Sequence, residues 1–168
     1  NRKVPGGADA CYSRLALAYL QGKVKDAAFH PDYILFNCGL DDIKRNLSTN
    51  QNQVSEQEYR KNLEAIVRLV AENKMKLIWI RTTPVVDYVH NTGQVTFRRY
   101  AADVKLYNQI ADEVCAKNKI PKVDLFSFSE KLGTGQLTDH VHYTESARDL
   151  QGAFIAGNVL SYLNVSST

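Results

Sequence analysis

Residues 32–37, with the sequence DYILFN, form the apolar strand that decides the fold class of this chain. Residues 75–80, MKLIWI, and residues 120–126, IPKVDLF, form two further apolar segments of strand length. Strands buried on both faces of a parallel sheet carry continuous apolar residues, whereas half-exposed strands alternate apolar and polar ones. The three segments therefore predict three strands of a parallel sheet.

Segments with helical spacing of apolar residues separate these strands. Ser55, followed three residues later by Glu58, predicts a capping box at the start of a long helix. Further helices are predicted over residues 9–22, 100–114 and 144–163, with a loop over residues 85–94. Strands that alternate with helices predict an α/β fold, namely a three-layer α/β/α sandwich with a parallel, flavodoxin-like sheet. No linker or repeat divides residues 1–168, so one domain is expected.

Composition and charge exclude several classes of protein. The net charge of +3 is small and spread over helical faces, which does not favour nucleic-acid binding. No apolar stretch is long enough to span a bilayer. The three cysteines, Cys11, Cys38 and Cys115, lack metal-ligand spacing, and the last two are expected to be buried. The sequence does not fix the compartment, although an extracellular or periplasmic location is favoured.

Asp139 stands three residues ahead of His142, just before the last predicted helix. A carboxylate in this position can fix the tautomer of an imidazole base and stabilise the imidazolium that forms. His140 lacks this offset, and His30 and His90 are interpreted as surface or loop histidines. His142 is therefore the candidate general base, with Asp139 as its orienting carboxylate.

A plainer interpretation of this segment is a polar loop that caps the last helix, with Thr144 as the N-cap. The position of residues 39–42, GLDD, favours the catalytic interpretation, because they directly follow the first predicted strand. Ligands of open α/β sheets bind outside the carboxyl ends of the strands. The topology thus brings two segments about a hundred residues apart to the same rim of the sheet.

Residues 39–42 and 139–142 resemble two signature blocks of the SGNH (GDSL-type) hydrolase superfamily. The resemblance implies a serine esterase with a Ser-His-Asp triad that needs no metal and no cofactor. Residues 4–14, VPGGADACYSR, resemble the block whose glycine supplies an N–H to the oxyanion hole. Gly7 is preferred over Gly6 for this role. Ser13 lies in a predicted helix and is not expected to be the nucleophile.

Asp41 departs from the family pattern, in which an Asn side chain donates a hydrogen bond into the oxyanion hole. An ionised carboxylate has no proton to donate, and loss of one such donor costs about 2.7–4 kcal/mol. Three possibilities stay open: Asp41 is protonated, its side chain turns away, or the site is impaired. The resemblance implies that Gly39 and Asp42 order the loop, Gly39 by permitting a tight turn.

The Gly-Asp-Ser block of the family does not occur in this sequence. The resemblance implies that the nucleophilic serine and the first strand of the sheet belong to an N-terminal segment outside this chain. That segment is the expected partner, and the substrate is expected to be a carboxylic ester, including O-acetyl groups on carbohydrates. The alternative is a catalytically impaired binding domain with the same fold. A nucleotide-binding or response-regulator domain is less favoured, because no phosphate-binding loop or acidic pocket is evident.

Overall fold

A computed structural model describes residues 12–92 and 96–165 of the chain. The helices and strands of these residues follow one another in the order α1 (Ser13–Lys23), β1 (Tyr33–Phe36), β2 (Arg45–Asn46), α2 (Glu56–Glu72), β3 (Lys76–Ile80), α3 (Asp87–Thr92), β4 (Phe97–Arg98), α4 (Ala101–Lys117), β5 (Lys122–Val123), α5 (Leu125–Leu132) and α6 (Glu145–Val165), with a 3₁₀ turn (Thr134–Gln136) after α5.

The main sheet of the described residues is parallel, with the strand order β1-β3-β5. Tyr33 pairs with Lys76, and Trp79 pairs with Lys122. Helices flank this sheet, which confirms the predicted α/β sandwich. The strands β2 and β4 form a separate antiparallel ribbon next to the carboxyl end of β1.

Side chains of β3 alternate between the two faces of the sheet. Leu77 and Trp79 belong to the core cluster that also includes residues of α2 and α4. Ile78 points to the opposite face, where it is fully buried. On that side α5 and α6 pack together through the stacked rings of Phe128 and Phe154. Both faces of the central strand are therefore covered, as its continuous apolar sequence predicted.

Several predicted boundaries agree with the structure. The hydroxyl of Ser55 accepts a hydrogen bond from the N–H of Glu58 at 3.3 Å, which confirms Ser55 as the N-cap of α2. The Glu58 carboxylate contacts Arg14 Nε at 2.7 Å and does not complete the predicted capping box. The predicted helix over residues 9–22 is α1, which begins at Ser13 within the described residues. Cys38 and Cys115 are buried, as expected. Cys11 lies outside the described residues.

Two predictions about local structure are wrong. The predicted strand over residues 120–126 ends at Val123, because Asp124 caps a new helix by accepting a hydrogen bond from the Ser127 N–H at 3.1 Å. The predicted loop over residues 85–94 contains the helix α3. Its six residues are too few for an apolar period to be recognised in the sequence.

None of the helices that the structure describes is long and apolar enough to cross a membrane. Within the same residues, no group of three His, Cys, Asp or Glu side chains could hold a metal ion.

Candidate active site

The Asp139 carboxylate directly contacts the imidazole of His142. Asp139 Oδ2 lies 2.6 Å from His142 Nδ1, and Asp139 Oδ1 accepts hydrogen bonds from the backbone N–H groups of Val141 and His142, each at 2.8 Å. A proton on Nδ1 satisfies the ionised carboxylate, so Nε2 keeps its lone pair. The His142 side chain is 54% exposed and is therefore accessible to a reacting group.

Hydrogen bonds hold the pKa of the Asp139 carboxyl well below its usual value. Partial burial raises this pKa, but the N–H groups of Val141 and His142 and the His142 ring together outweigh it. The carboxylate is ionised at neutral pH, as an orienting partner of a base must be.

A short bridge shapes the loop that carries this pair. Leu137 and Tyr143 form an isolated antiparallel bridge, and the carbonyl of His142 accepts a hydrogen bond from the Thr138 N–H at 2.8 Å. The hydroxyl of Thr144 accepts a hydrogen bond from the Ala147 N–H at 3.3 Å, so Thr144 caps α6. Helix capping and the Asp139–His142 pair are both present, and one does not exclude the other.

Gly39 occupies a backbone conformation that requires glycine. Its φ is 138°, and a Cβ at this position would lie 2.9 Å from Thr82 Oγ1 and 3.1 Å from the Tyr59 hydroxyl oxygen. Both of these hydroxyls donate hydrogen bonds to the carbonyl of Cys38. The turn after β1 is therefore packed tightly against β3 and α2.

Asp42 is fully buried at the N-terminus of α1. Both of its carboxylate oxygens accept from the Ser13 N–H at 2.9 Å, and the Ser13 hydroxyl donates to Oδ1. Burial raises the pKa of Asp42 to about 6, against the hydrogen bonds from Ser13 that lower it. Ser13 is itself fully buried, in the first turn of α1, and has no access to an ester.

Asp41 faces two cations. Its Oδ1 lies 2.5 Å from Arg99 Nη2 and 3.0 Å from Lys44 Nζ. A carboxylate in these contacts accepts hydrogen bonds and has none to donate. Gly7, the other oxyanion-hole candidate, and the neighbouring Gly6 lie outside the described residues.

An open cleft of about 430 Å³ lies beside the candidate pair. Its walls come from Val89 of α3, with buried His90 behind it, and from the loop that includes Thr138, Asp139 and His140. A different cavity, of about 390 Å³, lies at the amino ends of the strands and includes Tyr33 and Met75. Ligands of parallel sheets bind at the carboxyl ends, so the cleft beside Asp139 is the candidate substrate site.

A family model covers most of this chain. The family model of the GDSL-like lipases and acylhydrolases matches residues 12–155, which include both residues 39–42 and residues 139–142. The chain belongs to the GDSL-like lipase/acylhydrolase family. The resemblance to this superfamily, predicted from the two sequence blocks, is thereby confirmed, and the chain belongs to a family of hydrolases.

Solved structures of other proteins share the fold. A lipase/acylhydrolase from Enterococcus faecalis is 21% identical, with 89% of this chain and 71% of that chain covered at a TM-score of 0.69. A GDSL-like lipase from Bacteroides thetaiotaomicron is 20% identical, with 92% and 73% covered at a TM-score of 0.70. A catalytic mutant of Axe2, an acetylxylan esterase from Geobacillus stearothermophilus, is 15% identical, with 90% and 68% covered at a TM-score of 0.70. A search of curated proteins gave no match.

The family motifs did not indicate two residues near this site, His90 and Arg99. His90 was expected at the surface or in a loop, and this is wrong: it is fully buried in α3. Arg99 is 3% exposed and contacts Asp41 across 58 positions of sequence. Arg99 adjoins the exposed Arg98, and nothing in the sequence distinguishes the buried arginine from the exposed one.

Proposed function

We propose that this chain supplies the histidine and the aspartate of a serine esterase triad, with His142 as the general base and Asp139 as its orienting carboxylate. The observation that carries the proposal is the 2.6 Å contact between Asp139 Oδ2 and His142 Nδ1. It leaves Nε2 of an accessible imidazole free to take a proton, which is what the base of a Ser-His-Asp triad requires.

In the proposed reaction, a serine hydroxyl attacks the ester carbonyl while His142 Nε2 takes its proton. Asp139 stabilises the resulting imidazolium. His142 then returns the proton to the leaving alcohol, and an acyl-enzyme forms. In the second half, His142 takes a proton from water, the water attacks the acyl-enzyme, and the acid is released as the serine recovers its proton.

The serine is proposed to come from a segment outside this chain, because Gly-Asp-Ser is absent from the sequence. One feature of the sheet supports this. Among the described residues, β1 pairs only with β3, and Leu35 in the middle of β1 is 45% exposed. The unpaired edge of β1 is a surface on which a further strand can pair, and the exposed leucine leaves part of one sheet face uncovered.

The oxyanion is proposed to bind the N–H of Gly7 and the N–H of the serine itself, the usual type of backbone donor. Asp41 pairs with Arg99 and Lys44 and, as an ionised carboxylate, donates no hydrogen bond to the oxyanion. Esters are the proposed substrate class, and O-acetyl groups on carbohydrates are the first to test. The Axe2 structure that shares the fold belongs to an acetylxylan esterase.

The alternative, a binding domain with the same fold, is favoured by one observation. A carboxylate that pairs with Arg99 occupies the position from which the family donates to the oxyanion. The two functions differ in their reaction with an activated phosphonate ester, which forms a stable adduct with a nucleophilic serine that has a functional base.

The experiment treats the complete protein, including the segment with the serine, with such a phosphonate and measures intact mass under denaturing conditions. We expect an adduct on the serine-bearing segment, much slower formation in His142→Ala, and an unchanged rate in His30→Ala, a change at an exposed histidine away from the site. If the complete protein gains no mass, the binding domain is the better interpretation. Labelling of His142→Ala at the wild-type rate would remove His142 from the mechanism.

A further inference from the structure

Arg99 makes three polar contacts from a buried position. Its Nε donates to the carbonyl of Leu40 at 2.7 Å, its Nη2 donates to Asp41 Oδ1 at 2.5 Å, and its Nη1 lies 3.1 Å from His90 Nε2. Two of these partners belong to the turn after β1, and the third lies in α3. One guanidinium therefore joins two separate parts of the rim.

The contact with Arg99 determines where His90 carries its proton. A guanidinium can only donate, so His90 Nε2 must be an unprotonated acceptor. The proton then resides on Nδ1, which lies 3.0 Å from Asn91 Oδ1. Asn91 is oriented independently, because its Nδ2 donates to the Arg99 carbonyl at 2.9 Å and its Oδ1 accepts from the Arg99 N–H at 3.1 Å. The hydrogen bonds are consistent only with a neutral His90.

His90 also contacts the loop that carries the candidate base. Its ring meets the ring of His140 edge-on, with centroids 4.6 Å apart and an interplanar angle of 90°. His140 lies between Asp139 and His142 in the sequence. A continuous series of contacts thus runs from Asp41 through Arg99 and His90 to the loop of the catalytic pair.

We propose that Arg99 is a positioning residue: through neutral His90 it holds the turn at Asp41 and the loop that carries His142 in one fixed arrangement. This inference rests on the proposed function for its catalytic consequence. The serine and the oxyanion donors must meet the base in one geometry, and a misplacement of about 1 Å can cost 100-fold in rate.

The charges around His90 agree with a neutral ring. Burial lowers the pKa of His90 below 6.5, and the charge of Arg99 and the nearby His140 lower it further, while the Asn91 hydrogen bond and Asp139 oppose them. Asp41 contacts Arg99 and Lys44, so these two charges affect His90 indirectly, through Arg99. An imidazolium at this position would direct an N–H at a guanidinium, so acid is expected to break the Arg99–His90 contact.

The first test is NMR of the histidine rings in the full protein, with ¹⁵N-labelled imidazoles. This chain contributes four histidines to be assigned, His30, His90, His140 and His142. We expect His90 to carry its proton on Nδ1 and to have a pKa below 6.5. In Arg99→Gln, the pKa of His90 should rise and the ring signals of His140 should shift.

Arg98→Gln is the matched control, because it removes the same charge from the exposed neighbour and should leave His90 and His140 unchanged. If Arg99→Gln does not fold, Arg99→Lys keeps the charge but cannot reach all three partners at once. A proton on Nε2 of His90 in the wild type would overturn the inference. So would unchanged His140 signals in a folded Arg99 variant.

The second test separates positioning from simple support of the fold. With an active wild type, Arg99→Gln should lower kcat at least tenfold and change KM less than threefold, with Arg99→Lys intermediate and Arg98→Gln unchanged. Wild-type kcat in folded Arg99→Gln would overturn the positioning role. If the complete wild type does not hydrolyse esters at all, the proposed function fails, whereas the histidine signals still decide whether Arg99 couples the two loops.

Discussion

The Asp139–His142 loop and the Asp41–Arg99 corner are both rich in charge, but they are built in opposite ways. In the loop, the partners are three residues apart, and the two side chains are 44% and 54% exposed. In the corner, Asp41 and Arg99 are 58 residues apart, and the Arg99 side chain is only 4% exposed. An exposed pair can be changed with little effect on the fold, whereas the loss of one partner of a buried pair leaves an uncompensated charge.

The largest expected effect is on turnover, from His142→Ala. Removal of the proposed base should lower kcat on the order of 10⁶-fold, the scale seen when the base of a Ser-His-Asp hydrolase is deleted. Because His142 is half exposed, the thermal midpoint should hardly change. Ester hydrolysis and thermal unfolding of His142→Ala and His30→Ala check this together. A large fall in the thermal midpoint of His142→Ala would contradict the expectation that the exposed loop contributes less to stability than the buried corner.

Asp139→Asn should lower kcat about 10⁴-fold with the loop intact. The Asn oxygen can still accept from the Val141 and His142 N–H groups. The Asn amide, however, would donate to His142 Nδ1 and place the ring proton on Nε2, so the ring could not act as a base. Ring NMR of His142 should show this change of tautomer beside the loss of activity. Full activity would show that the carboxylate does not orient the base.

Asp41→Asn tests how much the buried Asp41–Arg99 corner contributes to the free energy of unfolding. It restores the residue type of the family but leaves Arg99 buried without its carboxylate, and should lower the free energy of unfolding by about 1–3 kcal/mol. The partial exposure of Asp41 and the nearby Lys44 place the effect below that of a fully buried pair. Chemical denaturation measures the loss.

The control is Glu113→Gln, which breaks the exposed ion pair with Arg60 and should lower the free energy of unfolding much less than Asp41→Asn does. A double variant of Asp41→Asn with Arg99→Gln should be less destabilised than the sum of its parts, because neither charge is then left alone. Additive effects would mean that Asp41 and Arg99 do not act as a pair.

The smallest expected effect is on the pH dependence of the free energy of unfolding. The folded pKa of His90 lies below 6.5, so as the pH falls the unfolded chain takes up the proton first. The contribution of neutral His90 to stability is therefore complete above pH 6.5 and is lost as the pH falls toward the folded pKa. In Arg99→Gln the pKa of His90 should rise, and the loss in acid should be smaller.

Asp42 changes stability in the opposite direction, since its pKa is raised from 3.8 to about 6 and its contribution is lost as the pH rises through that value. Both proteins contain Asp42, so its contribution cancels in the difference between wild type and Arg99→Gln. Urea unfolding at about pH 7.5 and 5.5 measures it. An equal pH dependence in the two proteins would contradict a His90 held neutral by Arg99.

The sequence predicted those features of the fold that arise from neighbouring residues. The apolar runs gave the strands β1 and β3, and Ser55 with Glu58 gave the start of α2. The third strand was predicted too long because Asp124 can cap a helix or end a strand, and its neighbours did not decide between these. His90 was misplaced because six residues of helix carry too little periodicity to show a buried face.

The sequence alone determined the pair Asp139 and His142, because a separation of three residues lets one tight loop bring carboxylate and ring together, whatever lies around it. Only the tertiary structure decided the surroundings of Asp41. An aspartate carboxylate is solvated in one environment and accepts from a buried cation in another. Here the cation is Arg99, and it reaches Asp41 because β1, β4 and α3 pack together at one rim of the sheet.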